Sequence, residues 1–162
     1  MFRRATITDA DDIVKIYNQA MKPGVFAINQ ITPDTRSDRV AWLREHQDPY
    51  PVFVYEIERR TVIGWCSLSK FSVRPEYTGV AEISRYIDEN HRGKGLGGLM
   101  LTYLIEAASG LGLRLLVSNA YERNIGSIKS VNSHFRCVAV FHEVARVHGE
   151  WQNVAWFWKK LR

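Results

Sequence analysis

A glycine-rich, basic segment is the clearest candidate for chemistry in this chain. It reads Arg92-Gly93-Lys94-Gly95-Leu96-Gly97-Gly98 and precedes the most regular helical pattern in the sequence. Glycines let a backbone approach a ligand closely, and the free amides at the start of a helix favour an anion. Arg92 and Lys94 add positive charge. The segment therefore predicts a cradle for a diphosphate group.

Three types of phosphate-binding loop compete for this segment, beside a glycine-rich helix start that binds nothing. A Walker loop needs Ser or Thr after its glycine-lysine pair, whereas Lys94 is followed by Gly95. The dinucleotide-binding fingerprint is formally met, but the following strand ends near Asn119 without the acidic residue that would bind a ribose. The pattern Arg-x-x-Gly-x-Gly is met by Arg92, Gly95 and Gly97. The basic charge and the four glycines favour this third pattern over a non-binding loop.

Hydrophobic spacing and turn residues predict a mixed α/β order of βααβββαβαββ. The first helix is expected to be capped by Thr8 with Asp11, and the second to begin at Thr32-Pro33-Asp34. The expected strands are 2–7, 52–57, 62–69, 80–88, 113–118, 135–144 and 151–160. A helix is expected to begin near Gly95, with an apolar stripe formed by Leu96, Leu99, Met100, Tyr103, Leu104 and Ala107. A weaker helix is expected over 125–133. The glycine loop thus joins the fourth strand to the strongest helix.

Composition limits the classes of protein that this chain can represent. Its 162 residues, 46% hydrophobic and 24% charged, predict one globular domain over 1–162. Lys and Arg exceed Asp and Glu by 22 to 17, but they are scattered, which favours a phosphate-rich small ligand over nucleic acid. No apolar run reaches the roughly 18 residues of a membrane span, and the start of the chain lacks a signal-peptide pattern. Two cysteines are too few for a disulfide framework, and this low number favours a location in the reducing cytoplasm.

Several further segments accompany the loop. Glu82-Ile83-Ser84-Arg85-Tyr86-Ile87 precedes it, Arg74 and Tyr77 come earlier, and Gly149 and Trp151 come near the end. Together with the loop these segments resemble the GNAT N-acetyltransferases, and more narrowly the phosphinothricin acetyltransferase group, whose fourth strand reads Glu-x-Ser-Val-Tyr-Val. The likeness covers nearly the whole chain. It implies the GNAT fold, a twisted mixed β-sheet flanked by about four helices.

The resemblance also implies the reaction and its cofactor. Acetyl-CoA would be the cosubstrate, with no metal, and its acetyl group would pass directly to an amine in a ternary complex. Glu82 would be the general base, although a carboxylate on an alternating strand can also be a plain surface residue. The backbone of Tyr86 and Ile87 would contact the thioester and the pantetheine arm. The implied cofactor-binding residues are Ser84, Arg85, Tyr86, Ile87, Arg92, Gly93, Lys94, Gly95, Leu96, Gly97, Gly98 and Asn124.

The acceptor implied by the resemblance is a small amine, such as phosphinothricin, methionine sulfone or methionine sulfoximine. Arg74 and Tyr77 would bind its carboxylate, unless the arginine is a solvated loop residue, and Phe26 would line its pocket. Two other functions remain open: an enzyme acting on protein N-termini or polyamines, and an acyl-CoA-binding module without catalysis. Release of thiol from acetyl-CoA in the presence of amino-acid analogues and peptides would discriminate among them.

The chain departs from the group's pattern near its fourth helix. The group's histidine falls on Val131 and its glycine on His134. The proton donor for the CoA thiolate therefore stays open among Tyr121, Ser130 and His134. The group is usually homodimeric, and an aromatic-rich end of this chain, with Trp151, Trp156, Phe157 and Trp158, favours a partner surface of the same kind.

Overall fold

The computed structural model describes residues 1–27 and 32–161. Within them, seven strands form one sheet in the order β1-β2-β3-β4-β5-β7-β6. The strands are β1 (Phe2–Arg4), β2 (Val52–Ile57), β3 (Thr61–Lys70), β4 (Val80–Ile87), β5 (Leu115–Tyr121), β6 (Arg136–Val147) and β7 (Glu150–Lys160); the helices are α1 (Ala10–Asn18), α2 (Arg36–Glu45), α3 (Leu96–Gly110) and α4 (Ile125–Asn132). The order of elements predicted from the sequence is confirmed.

The starts of the first two helices were predicted at the wrong threonines. Helix α2 begins after Thr35, whose side chain accepts a hydrogen bond from the Asp38 amide while the Asp38 carboxylate accepts one from the Thr35 amide. Before α1, the Asp9 carboxylate accepts a hydrogen bond from the Thr6 amide at 2.7 Å. Both sites have the capping-box spacing. At the first site Arg3 also donates two hydrogen bonds to Asp9, which helps to hold that carboxylate in place.

The sheet separates two clusters of buried side chains. One face packs against α3 and α4, and the other packs against α1 and α2. The predicted stripe of α3 needs one correction, because Leu99 is 49% exposed while Leu101 and Ala108 are fully buried. The buried row is Leu96, Met100, Leu104 and Ala108, which follows the i, i+4 ridge of a helix lying on a sheet.

The only parallel pair among the described strands is β4 with β5, and it is short. Three residue pairs join them, beginning at Val80 with Leu115 and ending at Glu82 with Val117. Beyond that point β4 continues to Ile87 along β3, while β5 continues along β7. The two strands therefore diverge and open a gap through the sheet, between the helix pairs on its two faces.

Candidate active site

A cavity of about 520 Å³ occupies the gap between the diverging ends of β4 and β5. Its walls come from both strands, from the start of α4, and from the segment that follows α1. Its lining residues are Tyr17, Phe26, Ala27, Glu82, Ile83, Ser84, Arg85, Tyr86, Ser118, Asn119, Ala120, Tyr121, Asn124 and Ser127. A second cavity of about 380 Å³ shares Tyr17, Ser84 and Tyr86 with it and extends toward α2.

The edge of β4 that faces the gap carries backbone amides beyond the three residue pairs that join this strand to β5. Backbone amides alternate between the two edges of a strand, and the Asp88 amide donates to the Ile63 carbonyl of β3 at 2.9 Å. By this alternation the amides of Arg85 and Ile87 face the gap. By the same alternation the amide of Tyr86 faces β3, and the expected backbone contact of that residue stays a prediction. Two amides in the gap are therefore available to a ligand.

Glu82 lies at the point where the two strands separate. Its side chain lines the cavity, and its Oε1 accepts a hydrogen bond from Asn119 Nδ2 at 2.6 Å. Burial raises the pKa of Glu82, and the bond from Asn119 opposes that rise. A raised pKa makes the carboxylate a stronger base, so it can accept a proton from a group in the cavity.

The glycine loop joins β4 to α3 on the α3–α4 face of the sheet. Gly93 and Gly95 have φ angles of 75° and 81°, which glycine adopts without strain. A β-carbon placed on either residue would meet no atom within 4 Å, so a ligand can approach the backbone there. Because Gly95 is the N-cap of α3, the amides of Leu96 and Gly97 have no carbonyl of the helix to bond. This arrangement can hold an anion such as a diphosphate.

The basic residues of the loop are exposed and lack carboxylate partners among the described ion pairs. Arg92 donates from Nε to the Ile87 carbonyl at 3.0 Å, and Lys94 donates from Nζ to the Asn90 carbonyl at 3.1 Å. These backbone contacts keep both positive charges close to the loop. The charges therefore add to the helix dipole at the start of α3.

Asp88 anchors the beginning of the loop. It accepts hydrogen bonds from Gln19 at 2.9 Å, from the Asn90 amide at 3.1 Å and from His91 at 3.0 Å. Burial alone would raise the pKa of Asp88, but these hydrogen bonds outweigh burial and lower it to about 2. Gln19 also accepts a bond from the Glu89 amide. The loop is thus fixed to the end of α1, a link that the sequence pattern did not reveal.

The gap side of α4 carries the residue expected to contact the pantetheine arm. Asn124 caps α4 by accepting a hydrogen bond from the Ser127 amide at 3.2 Å, and its side chain also lines the cavity. Of the three open proton donors, Tyr121 lines the cavity, and burial raises its pKa, so its hydroxyl stays protonated. Ser130 accepts a hydrogen bond from Arg85, and His134 contacts Thr102 away from the cavity. Tyr121 is therefore the best placed of the three.

Only one of the three expected acceptor-binding residues lines the cavity. Phe26 does so, with the Arg123 guanidinium 4.0 Å from its ring centre. Arg74 is mostly exposed and forms an ion pair with Glu76 at 2.7 Å. Tyr77 is in the same loop and is 38% exposed. The proposed contact of this loop with an acceptor stays a prediction.

Three lining residues, Tyr17, Asn119 and Ser127, have no role predicted from the sequence. No local pattern marks these residues, because each enters the site through the packing of α1, β5 or α4 on the sheet. Among residues 1–27 and 32–161, no cluster of three or more metal-binding side chains occurs. No helix in the same part of the chain is long and apolar enough to cross a membrane.

Comparisons with known proteins agree with this geometry. An L-methionine sulfoximine/L-methionine sulfone acetyltransferase of Salmonella typhimurium is 31% identical over 161 residues, covering 98% of this chain and 93% of the relative. A phosphinothricin acetyltransferase of Sinorhizobium meliloti, solved in complex with acetyl-CoA, superposes with a TM-score of 0.90 at 26% identity, covering 99% of this chain and 88% of the other. A ribosomal-protein-alanine N-acetyltransferase of Brucella melitensis superposes with a TM-score of 0.93 at 29% identity, covering 99% of each chain.

The match to a family decides the class of the enzyme. Residues 1–133 match the acetyltransferase (GNAT) domain, a range that includes the glycine loop, Glu82, Asn124 and the diverging strands. The expected fold, the N-acetyltransferase activity and the acetyl-CoA cosubstrate are therefore confirmed. With its glycine cradle at the start of α3 and a carboxylate where the sheet opens, this chain belongs to the GNAT family of acetyltransferases.

Proposed function

We propose that the enzyme acetylates the amino group of a small amino acid or analogue that carries a carboxylate, with phosphinothricin, methionine sulfone and methionine sulfoximine as the first candidates. The observation that carries the proposal is the gap between β4 and β5, which connects the glycine loop on one face of the sheet with Glu82 on the other. The substrate named for the Salmonella relative supports this choice of acceptor. The same gap supports direct transfer in a ternary complex, because both substrates could meet in it.

The residues of the loop fit the cofactor. The open space at Gly93 and Gly95 leaves room for a diphosphate against the backbone, while the amides of Leu96 and Gly97 point their hydrogens toward it. Acetyl-CoA, when bound, supplies the acetyl thioester. The open edge of β4 places the Arg85 and Ile87 amides where they can bond the pantetheine arm and the thioester carbonyl oxygen, which gains negative charge during the transfer.

Glu82 is the proposed general base. The acceptor amine is mostly protonated near pH 7 and must lose a proton before its nitrogen can attack. Glu82 takes this proton, directly or through one water molecule, from the side of the sheet that faces α1. As the new C–N bond forms and the C–S bond breaks, the electron pair of the C–S bond goes to sulfur, which takes a proton from the Tyr121 hydroxyl. The attacking nitrogen loses its second proton, which passes through water to the Tyr121 oxygen, and Glu82 releases the first proton to solvent. Asn119 keeps the Glu82 carboxylate facing the cavity.

The acceptor side of the gap has room for an amino-acid side chain. The second cavity continues from Tyr17 and Tyr86 toward Arg39 and Trp42 of α2. Arg39 is nearly buried and pairs with Asp34, and its guanidinium lies 3.9 Å from the Tyr17 ring centre. A small polar side chain fits such a mixed polar and aromatic pocket better than an extended peptide does.

Acetylation of small amines is tested by release of CoA thiol. The purified enzyme would be given acetyl-CoA and, in separate reactions, the three named analogues, ordinary amino acids, a polyamine and a peptide with N-terminal alanine. We expect the amino-acid analogues to give the highest kcat/KM. Preference for the peptide would replace the proposed acceptor, and absence of thiol release with every amine would contradict the catalytic assignment.

We also propose a homodimer formed through β6 and β7. Strand β6 is at the edge of the sheet, and edge strands with apolar side chains are usually covered. The exposed apolar side chains of the two strands are Val138, Phe141, Val144, Trp151 and Trp158. Light scattering at micromolar concentration should give the mass of two chains. The mass of one chain would contradict this arrangement, and Trp151→Gln should shift a dimer toward monomer.

The proposed compartment is the cytoplasm. Cys66 and Cys137 are both free thiols, as is usual in a reducing compartment. Burial raises the pKa of Cys66 to about 12, so this thiol is neutral and unreactive at physiological pH. Fractionation of cells that express the protein at its natural level would test the location.

A further inference from the structure

Arg85 stands in β4 where the resembling group has a valine. Its side chain crosses the α3–α4 face of the gap and donates two hydrogen bonds from Nη1, to the Gly97 carbonyl at 2.7 Å and to Ser130 Oγ at 2.9 Å. A β-carbon on Gly97 would lie 3.8 Å from the same nitrogen. The arginine therefore joins Gly97 of the glycine segment to Ser130 of α4.

The positive charge of Arg85 has no carboxylate partner in the part of the chain that the structure describes. Among the described residues, the acidic group that acts on Arg85 is the Cys66 thiol. That thiol is neutral at physiological pH. Burial lowers the pKa of Arg85 to about 10, which still leaves the guanidinium charged at neutral pH. Burial of an unpaired charge is costly, so an anionic ligand at this place would relieve that cost.

Two nitrogens of the guanidinium are free to meet a ligand. Among the described hydrogen bonds, only Nη1 of Arg85 donates. Neither Nε nor Nη2 is among the described polar atoms that are buried without a hydrogen-bond partner. The residue also lines the cavity in the gap. Its charge and its unused donors thus adjoin the first turn of α3, where the cradle is expected to hold the diphosphate.

We propose that the Arg85 side chain is a cofactor-binding group, a cation on the inner side of the cradle that stabilises the diphosphate of acetyl-CoA. The inference rests on the proposed binding of acetyl-CoA at the glycine loop. It assigns Arg85 a role that the backbone of β4 does not supply and that a valine at this position could not fill. Arg92 and Lys94 approach the same anion from the solvent side.

The test compares CoA with pantetheine, which has the same thiol arm but no phosphate. Dissociation constants for both would be measured by calorimetry, or by competition, for the wild-type protein, Arg85→Met and Arg85→Lys. We expect Arg85→Met to weaken CoA binding roughly tenfold or more, as loss of a nearby, poorly screened charge should, and to change pantetheine binding by less than about twofold. Arg85→Lys should recover most of the CoA affinity, because it keeps the charge.

Controls separate this effect from charge in general and from folding. Arg44→Met removes an exposed arginine of α2 and should leave both affinities unchanged. Equal losses for CoA and pantetheine in Arg85→Met, or unchanged CoA affinity in the folded variants, would overturn the role of Arg85. Failure of the wild-type protein to bind CoA would instead overturn the proposed function itself. If Arg85→Met does not fold, the Lys variant decides, since loss of its CoA affinity would refute a role based on charge.

Discussion

The two ends of the gap between β4 and β5 are built in different ways. The proposed cofactor end is made by one continuous segment, from Asp88 to Gly98, with its backbone angles set by glycines and its start fixed by Gln19. The proposed acceptor end is assembled from α1, β4, β5 and the segment containing Phe26. A cradle for a constant diphosphate can be encoded locally, whereas a pocket for a particular amine depends on side chains that distant elements bring together.

The difference also separates binding from chemistry. In the proposed arrangement, backbone amides and the helix dipole bind the cofactor, so changes of backbone conformation should affect cofactor affinity. Carboxylate and phenol side chains are proposed to act at the acceptor end, so changes there should affect turnover and its pH dependence. Variants at each end should therefore alter different quantities, and a variant that altered both equally would break the distinction.

Glu82→Gln should have the largest effect. If Glu82 is the base, turnover should fall by roughly 10²–10⁴-fold, with acetyl-CoA affinity nearly unchanged. The wild-type rate should rise with pH as Glu82 loses its proton, and burial places this limb above the usual carboxyl range. Steady-state rates across pH would show whether the limb disappears in the variant. Glu106→Gln, on the exposed side of α3, is the matched control, and near-normal turnover in Glu82→Gln would refute the role.

Gly95→Val tests the cofactor end. The φ angle of 81° at Gly95 strains any branched residue, and the new side chain would enter the space left for the diphosphate. We expect CoA affinity to fall by about 100-fold, as measured by calorimetry. Gly112→Val is a control matched for strain, since Gly112 has a φ of 74° beyond the other end of α3. It should lower stability and spare CoA affinity; equal affinity losses in both variants would remove the loop from the site.

Asp88→Asn tests whether the anchored loop contributes to folding. The pKa of Asp88 is about 2 in the folded protein and near 4 in an unfolded chain. The ionised carboxylate therefore stabilises the fold at pH values above about 4, and this contribution is lost as the pH falls toward 2. We expect the free energy of unfolding to drop by about 2 kcal/mol at pH 7 and the difference from the wild type to shrink between pH 5 and 3. Urea denaturation would measure both. Asp11→Asn, which breaks an exposed ion pair with Arg36, should cost less than about 1 kcal/mol.

Asn119→Ala should give the smallest change, and it tests whether Asn119 adjusts the pKa of Glu82. Removal of its hydrogen bond to Glu82 takes away an interaction that lowers the pKa of that carboxyl. The acidic limb of the rate profile should therefore move to higher pH, while turnover on the alkaline plateau stays close to the wild-type value. In the Glu82→Gln background the same substitution should leave the pH profile unchanged. A shift that persisted there would mean that the limb belongs to another group.

Local sequence patterns indicate more of the proposed cofactor end than of the proposed acceptor end. The loop was identified because glycines, cations and a helix start occur together within a few residues. Glu82 and Phe26 came from the family resemblance and line the cavity in the structure. Arg74 and Tyr77 came from the same source but lie in an exposed loop, since a motif does not determine where a loop with few packing contacts will sit.

The sequence by itself determined the class of fold, the order of the elements and the place of the glycine loop proposed as an anion cradle, because these depend on local periodicity, turn residues and glycine conformations. The tertiary structure decided where the parallel pairing of β4 and β5 ends and which backbone amides face the gap. It also showed that Asn119 bonds Glu82 and that Arg85 spans from β4 to α3 and α4. Such contacts join residues far apart in the chain, and their geometry is set by how helices and strands pack, which no local pattern records.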